Sequence, residues 1–99
     1  MLSIVKNIEN STVTLVLEGR LDANAAPKLE AEIADSLEGL VTLVLDFEKL
    51  EYISSAGLRV LLFAYKRLSG QGNVKIRNVG KSVMEIFNVT GFADIFDLE

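Results

Sequence analysis

At 99 residues, 49% of them hydrophobic, the chain has apolar surface for one core, too little length for two, and too much hydrophobicity for a disordered segment. Ten Lys and Arg against fourteen Asp and Glu leave a net charge of −4, which argues against a general binder of nucleic acid or of acidic membranes. With no Cys and no His, the usual strong metal ligands, thiol nucleophiles and imidazole bases are missing, so most enzyme readings fail and no cofactor is expected.

The charge is unevenly spread: residues 1–50 carry four basic and nine acidic side chains, residues 51–99 six and five. That asymmetry suits either orientation of a charged partner or a solvated surface. The acids are spaced as surface residues, with no DxDxDG-type calcium loop. The apolar part of MLSIVKNIEN is too short for a signal peptide, and no apolar run approaches the roughly 18 residues of a membrane span. A soluble, cytoplasmic protein without membrane insertion or direct nucleic-acid contact is expected.

Residues 2–6 and 12–18, rich in Leu, Ile, Val and Thr, read as an antiparallel hairpin around the turn-forming stretch Asn7 to Ser11, with Gly19 ending the second strand. Ala26, Leu29, Ile33 and Leu37 then recur at helical spacing, with Asp22 and Asn24 as candidate caps, Pro27 in the first turn and Gly39 just past the end. Val41 to Phe47 is almost continuously apolar, as a central strand covered on both faces should be, and Asp46 stands near its end.

A second helix is expected from about Ser55 to Leu68, burying Leu58, Leu61, Leu62, Tyr65 and Leu68 and leaving Arg59, Phe63, Lys66 and Arg67 elsewhere on its circumference. Gly70 to Asn73 breaks the chain before a short strand over Val74 to Arg77. Residues 80–89 carry Val83, Ile86, Phe87 and Val89 in a third helix closed by Gly91, and Phe92 to Leu98 packs back as an edge segment. The order ββαβαβα makes a single α/β domain with a mixed sheet, parallel in its later part. In such sheets, ligands and partners meet the strand ends where helices begin.

Gly80-Lys81-Ser82 resembles the end of a phosphate-binding loop, but position 75 is Lys where the G-x-x-x-x-G-K-[ST] pattern needs Gly. Ser82 is therefore read as a helix-start residue. Ser54 and Ser55 open the second helix, where free N–H groups and the helix dipole favour a cap oxygen or a phosphate. Asp22 reads as a cap or as part of a docking surface at the Ser55 end, and Asp46 as a solvated strand end or part of that surface. Phe63 is a partner anchor or a core residue. Arg59, Lys66 and Arg67 form a solvated face or a basic strip for an acidic partner.

The segments EGRLDANAAPKL, LVLDFEKLEYISSAGLRVLL and VMEIFNVTGFADIFDL together make the chain resemble, over essentially its whole length, the STAS domain family and in particular bacterial anti-sigma factor antagonists. The family pattern is Asp-Ser, then Ser, Thr or Ala, then Gly-Leu; here it reads Ser54-Ser55-Ala56-Gly57-Leu58. Ser54 replaces the common Asp, and Ala56 stands where other members carry a phosphorylated Ser or Thr. The resemblance implies Ser55 as phosphate acceptor, with Ser54 second and an unphosphorylated member also possible. It implies a non-enzymatic protein that binds an anti-sigma factor serine kinase when unphosphorylated, is released on phosphorylation and is restored by a protein phosphatase. Taken with the residue readings above, the expected partner surface comprises Asp22, Asp46, Ser54, Ser55, Ala56, Gly57, Arg59 and Phe63. A different reading is a constitutive STAS docking subunit, for example of a lipid transporter ATPase, that grips its partner without being modified.

Overall fold

Val13, Leu15 and Leu17 are buried while Thr12, Thr14 and Val16 between them are not, the two-residue period of a strand with one covered face. In the computed structural model, which describes residues 1–99, this segment is β2 (Thr12–Leu21), paired antiparallel to β1 (Leu2–Glu9). Next come α1 (Ala26–Ser36), β3 (Thr42–Ile53), α2 (Ser55–Leu68), β4 (Asn73–Arg77), α3 (Lys81–Thr90), a 3₁₀ turn at Phe92–Asp94 and β5 (Asp97–Leu98). The expected ββαβαβα order is thus observed, with the edge segment at the end. β1 and β2 are longer than expected because the turn is confined to Asn10 and Ser11, where Asn10 takes the left-handed backbone (φ 56°) that its short polar side chain tolerates.

The sheet order is β1-β2-β3-β4-β5, and β2 through β5 run parallel. Each parallel strand steps the same way across the sheet, so right-handed crossovers put all three helices on one face. One contiguous core of 25 buried residues results, joining the helices to the inner sheet face through Leu15, Leu43, Leu45 and Phe47. β3 is central, as expected, but it is not covered on both faces. Val44 is buried outside that core, flanked in register by Thr14 and Lys75 on the open face, and Val41 is half exposed before the strand begins.

β3 also runs well past Phe47. Its pairing with β2 slips twice, between Val16/Asp46 and Glu18/Lys49 and again between Gly19/Leu50 and Arg20/Tyr52. Each slip gives β3 one extra residue, a bulge that bends the strand and raises its twist. The inward positions become Leu43, Leu45, Phe47, Leu50 and Ile53, so alternation gives way to a spacing of three. The expected strand end near Asp46 and Phe47 is that change of period. Gly19 likewise sits inside β2 rather than ending it. At φ 109° it lets the Met1 carbonyl, which accepts the Arg20 N–H at 3.1 Å, lie where a Cβ would be 2.2 Å away.

The buried stripe of α2 is Gly57, Val60, Leu61, Ala64 and Leu68. Leu58 and Leu62 are only half-buried and Tyr65 is exposed, so the expected stripe is rotated by about one position. Small Gly57 and Ala64 carry little hydrophobic signal in sequence, yet they let the helix approach the sheet closely. In α3, Val83 and Phe87 are buried, whereas Ile86 is half-buried and Val89 is exposed. Aromatic rings fasten the C-terminal segment: Phe87 meets Phe47 and Phe92 at 6.3 and 6.1 Å, and Phe96 meets Phe92 and Tyr65 at 5.8 and 5.7 Å. Such pairs stabilise by about 0.5–1.5 kcal/mol each beyond their buried area.

Candidate functional site

The extended end of β3 delivers Ser54 to the start of α2. Its N–H donates to the Leu21 carbonyl at 2.9 Å, tying the helix entry to the end of β2. With φ −96° and ψ 174°, Ser54 is the N-cap: its Oγ accepts the Gly57 N–H at 3.2 Å and its carbonyl accepts the Leu58 N–H at 2.9 Å. Ser55 is the first helical residue and is exposed, and its hydroxyl takes no hydrogen-bond partner within the chain. Of the two serines that the sequence offered as caps, Ser54 is the one that caps. No acidic side chain occupies the first turn of α2, so the positive helix end is uncompensated.

Gly57 is buried and is not a surface contact. A Cβ there would come within 2.7 Å of Leu21 Cγ and 2.9 Å of Ile53 Cγ1, so glycine sets how closely α2 sits on the strand ends. Ala56 is half-buried against the core. Arg59 is exposed, enters none of the four ion pairs and lines two adjoining hollows. One, with Ala23, Pro27, Glu30 and Ala56, lies between α1 and α2. The other runs along α2 past Leu62, Phe63 and Lys66. Phe63 is half-buried on the core with the Arg67 guanidinium 5.7 Å from its ring centre, so it is both a packing residue and part of this surface.

Asp22 stands at the same end. Its Oδ1 accepts the Ala25 N–H at 2.9 Å and its carbonyl accepts from Ala26 at 3.0 Å, closing the turn that leads into α1. The N-cap position itself is Ala25, without a side-chain cap; Asp22 acts one turn earlier and Asn24 is exposed. Asp46 is not brought to this end. It lies mid-strand on the open sheet face, and because the two bulges let residues 46–53 span only the length of residues 16–21 on β2, it is about 20 Å along the strand from Ser54. Its Oδ1 accepts from Asn78 Nδ2 and from the Glu48 N–H, both at 3.0 Å. Arg77 Nε lies 3.6 Å from Oδ2, an ion-pair distance too long for a hydrogen bond, and that N–H has no other acceptor. Burial pushes the Asp46 carboxyl up, but the Asn78 and Glu48 hydrogen bonds and the Arg77 charge outweigh it and hold the carboxyl below the usual carboxylate range.

Sequence reasoning did not single out Arg20 and Tyr52. Paired across β2 and β3, they place the guanidinium 4.2 Å from the ring centre on the rim next to Ser54. Only the bulged register aligns them, so spacing in the sequence carried no sign of it. No group of three or more His, Cys, Asp or Glu side chains converges to hold a metal ion, and no helix is long and apolar enough to cross a membrane.

The molecule is thus a single α/β domain with a one-faced mixed sheet, a capped helix start at the end of its central strand and an exposed serine there. Residues 3–99 match the model of the STAS domain, and the chain belongs to that family. It groups with the anti-sigma factor antagonists, a non-enzymatic family. It is 42% identical over 82 residues to BtrV of Bordetella bronchiseptica, whose name provisionally makes it an anti-sigma factor antagonist, covering 81% of this chain and 71% of that protein. It is 28% identical over 95 residues to the anti-sigma-B factor antagonist of Bacillus subtilis, covering 95% of this chain and 86% of that one. Among solved structures it superposes on the Bacillus cell fate determinant SpoIIAA in its phosphorylated form (TM-score 0.79, 21% identity, 98% of this chain and 91% of that one).

Proposed function

We propose that this protein is an anti-sigma factor antagonist that binds its cognate anti-sigma serine kinase in the unphosphorylated state and is released when Ser55 is phosphorylated. A phosphatase then restores the binding form, and the cycle runs in the cytoplasm, with ATP supplied to the kinase rather than to this chain. The observation that carries the reading is the division between the two serines: Ser54 holds the cap, leaving Ser55 exposed with an uncommitted hydroxyl at the helix start. Likeness to a relative solved in a phosphorylated form supports it. The docking surface comprises Asp22, Ser54, Ser55, Ala56, Arg59 and Phe63, with Gly57 setting the height of the helix beneath it. In this reading Asp46 contributes to the sheet rather than to the contact.

A phosphate adds about −1.5 to −2 charges at neutral pH. On an exposed first-turn residue the fold tolerates it, because the helix dipole and unpaired N–H groups favour an anion. The effect then falls on the complex, where about 2.7 kcal/mol already weakens binding a hundredfold. The test is intact-mass analysis with site mapping after incubation with ATP and the candidate kinase, alongside Ser54→Ala and Ser55→Ala. A single phosphate absent only from Ser55→Ala is the expected result. Stable binding to that kinase without any phosphate would overturn the switch and identify a constitutive docking subunit.

A further inference from the structure

Ser55 and Arg59 are four residues apart on α2 and both exposed, so their side chains rise from the same face with Cβ atoms about 5–6 Å apart. An anion placed N-terminal to a cation at this spacing is the favourable orientation for a helical pair. Arg59 is uncommitted in the unmodified protein: it enters no ion pair, and Glu30 across the α1–α2 hollow does not reach it within 4.0 Å. It is also the residue shared by the two hollows that border the proposed docking surface.

We infer that a phosphate on Ser55 draws the Arg59 guanidinium into an ion pair along α2, so that modification removes a cation from the docking surface as well as adding an anion. This rests on the reading of Ser55 as the acceptor. In the unmodified protein Arg59 is then free to meet an acidic patch on the partner, beside the apolar ground of Leu62 and Phe63. After modification the same guanidinium, with its fork of N–H donors, satisfies phosphate oxygens instead. The switch is thereby sharpened by one residue acting in both states. Other charges at this helix end are Asp22 before α1, Glu30 on α1, and Arg20 and Glu51 on the strand ends. They are unchanged by substitution at Arg59, so a comparison at that position isolates the pair.

The test installs phosphoserine at position 55 of the full chain during translation, in the parent sequence and in Arg59→Gln and Arg59→Lys, and follows the phosphate by ³¹P NMR against pH at low salt. Because the pair favours the dianion, the second phosphate ionisation should have a midpoint about 0.3 pH unit lower with Arg59 than with Gln, most of it kept by Lys and lost in high salt. Equal midpoints in the parent and Arg59→Gln would overturn the pair. In the same proteins, phosphate should weaken kinase binding by a larger factor with Arg59 than with Gln; equal factors would overturn its part in release. Since the phosphate is placed without the kinase, this result is independent of whether the kinase modifies Ser55, which the mass analysis decides separately.

Discussion

Ser54 Oγ accepts the Gly57 N–H at 3.2 Å, and the same glycine is held so close to the strand ends that a Cβ would lie 2.7 Å from Leu21 Cγ. The cap fixes where α2 begins and the missing side chain fixes how near it lies, so together they set the height at which Ser55 is presented. Gly57→Ala should therefore lower stability by about 1–3 kcal/mol as an overpacking substitution, although alanine is the better helix former. Urea denaturation measures the loss; an unchanged or raised midpoint would show that Leu21 and Ile53 yield without cost.

The neighbouring serines should separate cleanly in stability. Ser54→Ala removes the cap and should cost about 1 kcal/mol. Ser55→Ala removes an exposed hydroxyl without a partner and should cost under about 0.5 kcal/mol. Equal losses in the two variants, read from the same denaturation curves, would mean that the capping load is shared.

Asp46 should make the acid side of the stability profile steeper. Its carboxyl is held below the unfolded value of about 3.9, so its contribution is complete above that pH and disappears as pH falls through the lower folded value. Asp46→Asn should be less stable at pH 7, by about 1 kcal/mol, because the Arg77 guanidinium loses its counter-charge. It should also lose less stability than the parent between pH 5 and pH 3. Parallel profiles for the two proteins would show that the carboxyl ionises alike folded and unfolded.

Gln71 ties two ends of the helical layer together. Its Nε2 donates to the carbonyls of Leu37 at 2.7 Å and Leu40 at 2.8 Å, joining the turn after α2 to the segment that leaves α1. Gln71→Ala frees both acceptors and should cost about 1–2 kcal/mol. Hydrogen exchange should quicken over residues 37–41 before it does in the sheet; uniform exchange would place the bonds outside the local stability of that turn.

Much of the molecule was legible in the residues themselves. The alternation of Val13, Leu15 and Leu17, the helical spacing of Leu29 and Ile33, and the run ISSAGLRVLL specify their elements locally, because strand and helix periods write themselves into the order of apolar side chains. The absence of Cys and His limited the chemistry before any fold was known. Other features belong to the assembled sheet. Phe47 looked like a strand end because a bulge changes the inward spacing from two to three, and a bulge exists only relative to a partner strand. The burial of Gly57 and Ala64 ahead of Tyr65 depends on how closely α2 approaches the strands, which residue hydrophobicity does not encode. Residue order alone specified the kinds of element, their succession and two adjacent serines at a helix start, though not the full length of β1, β2 and β3. The assembled fold settled that Ser54, tied through its N–H to the end of β2, is the serine that caps, that Arg59 lies between two hollows, and that Asp46 faces away from them, because strand register and the approach of α1 and α2 join segments distant in the chain.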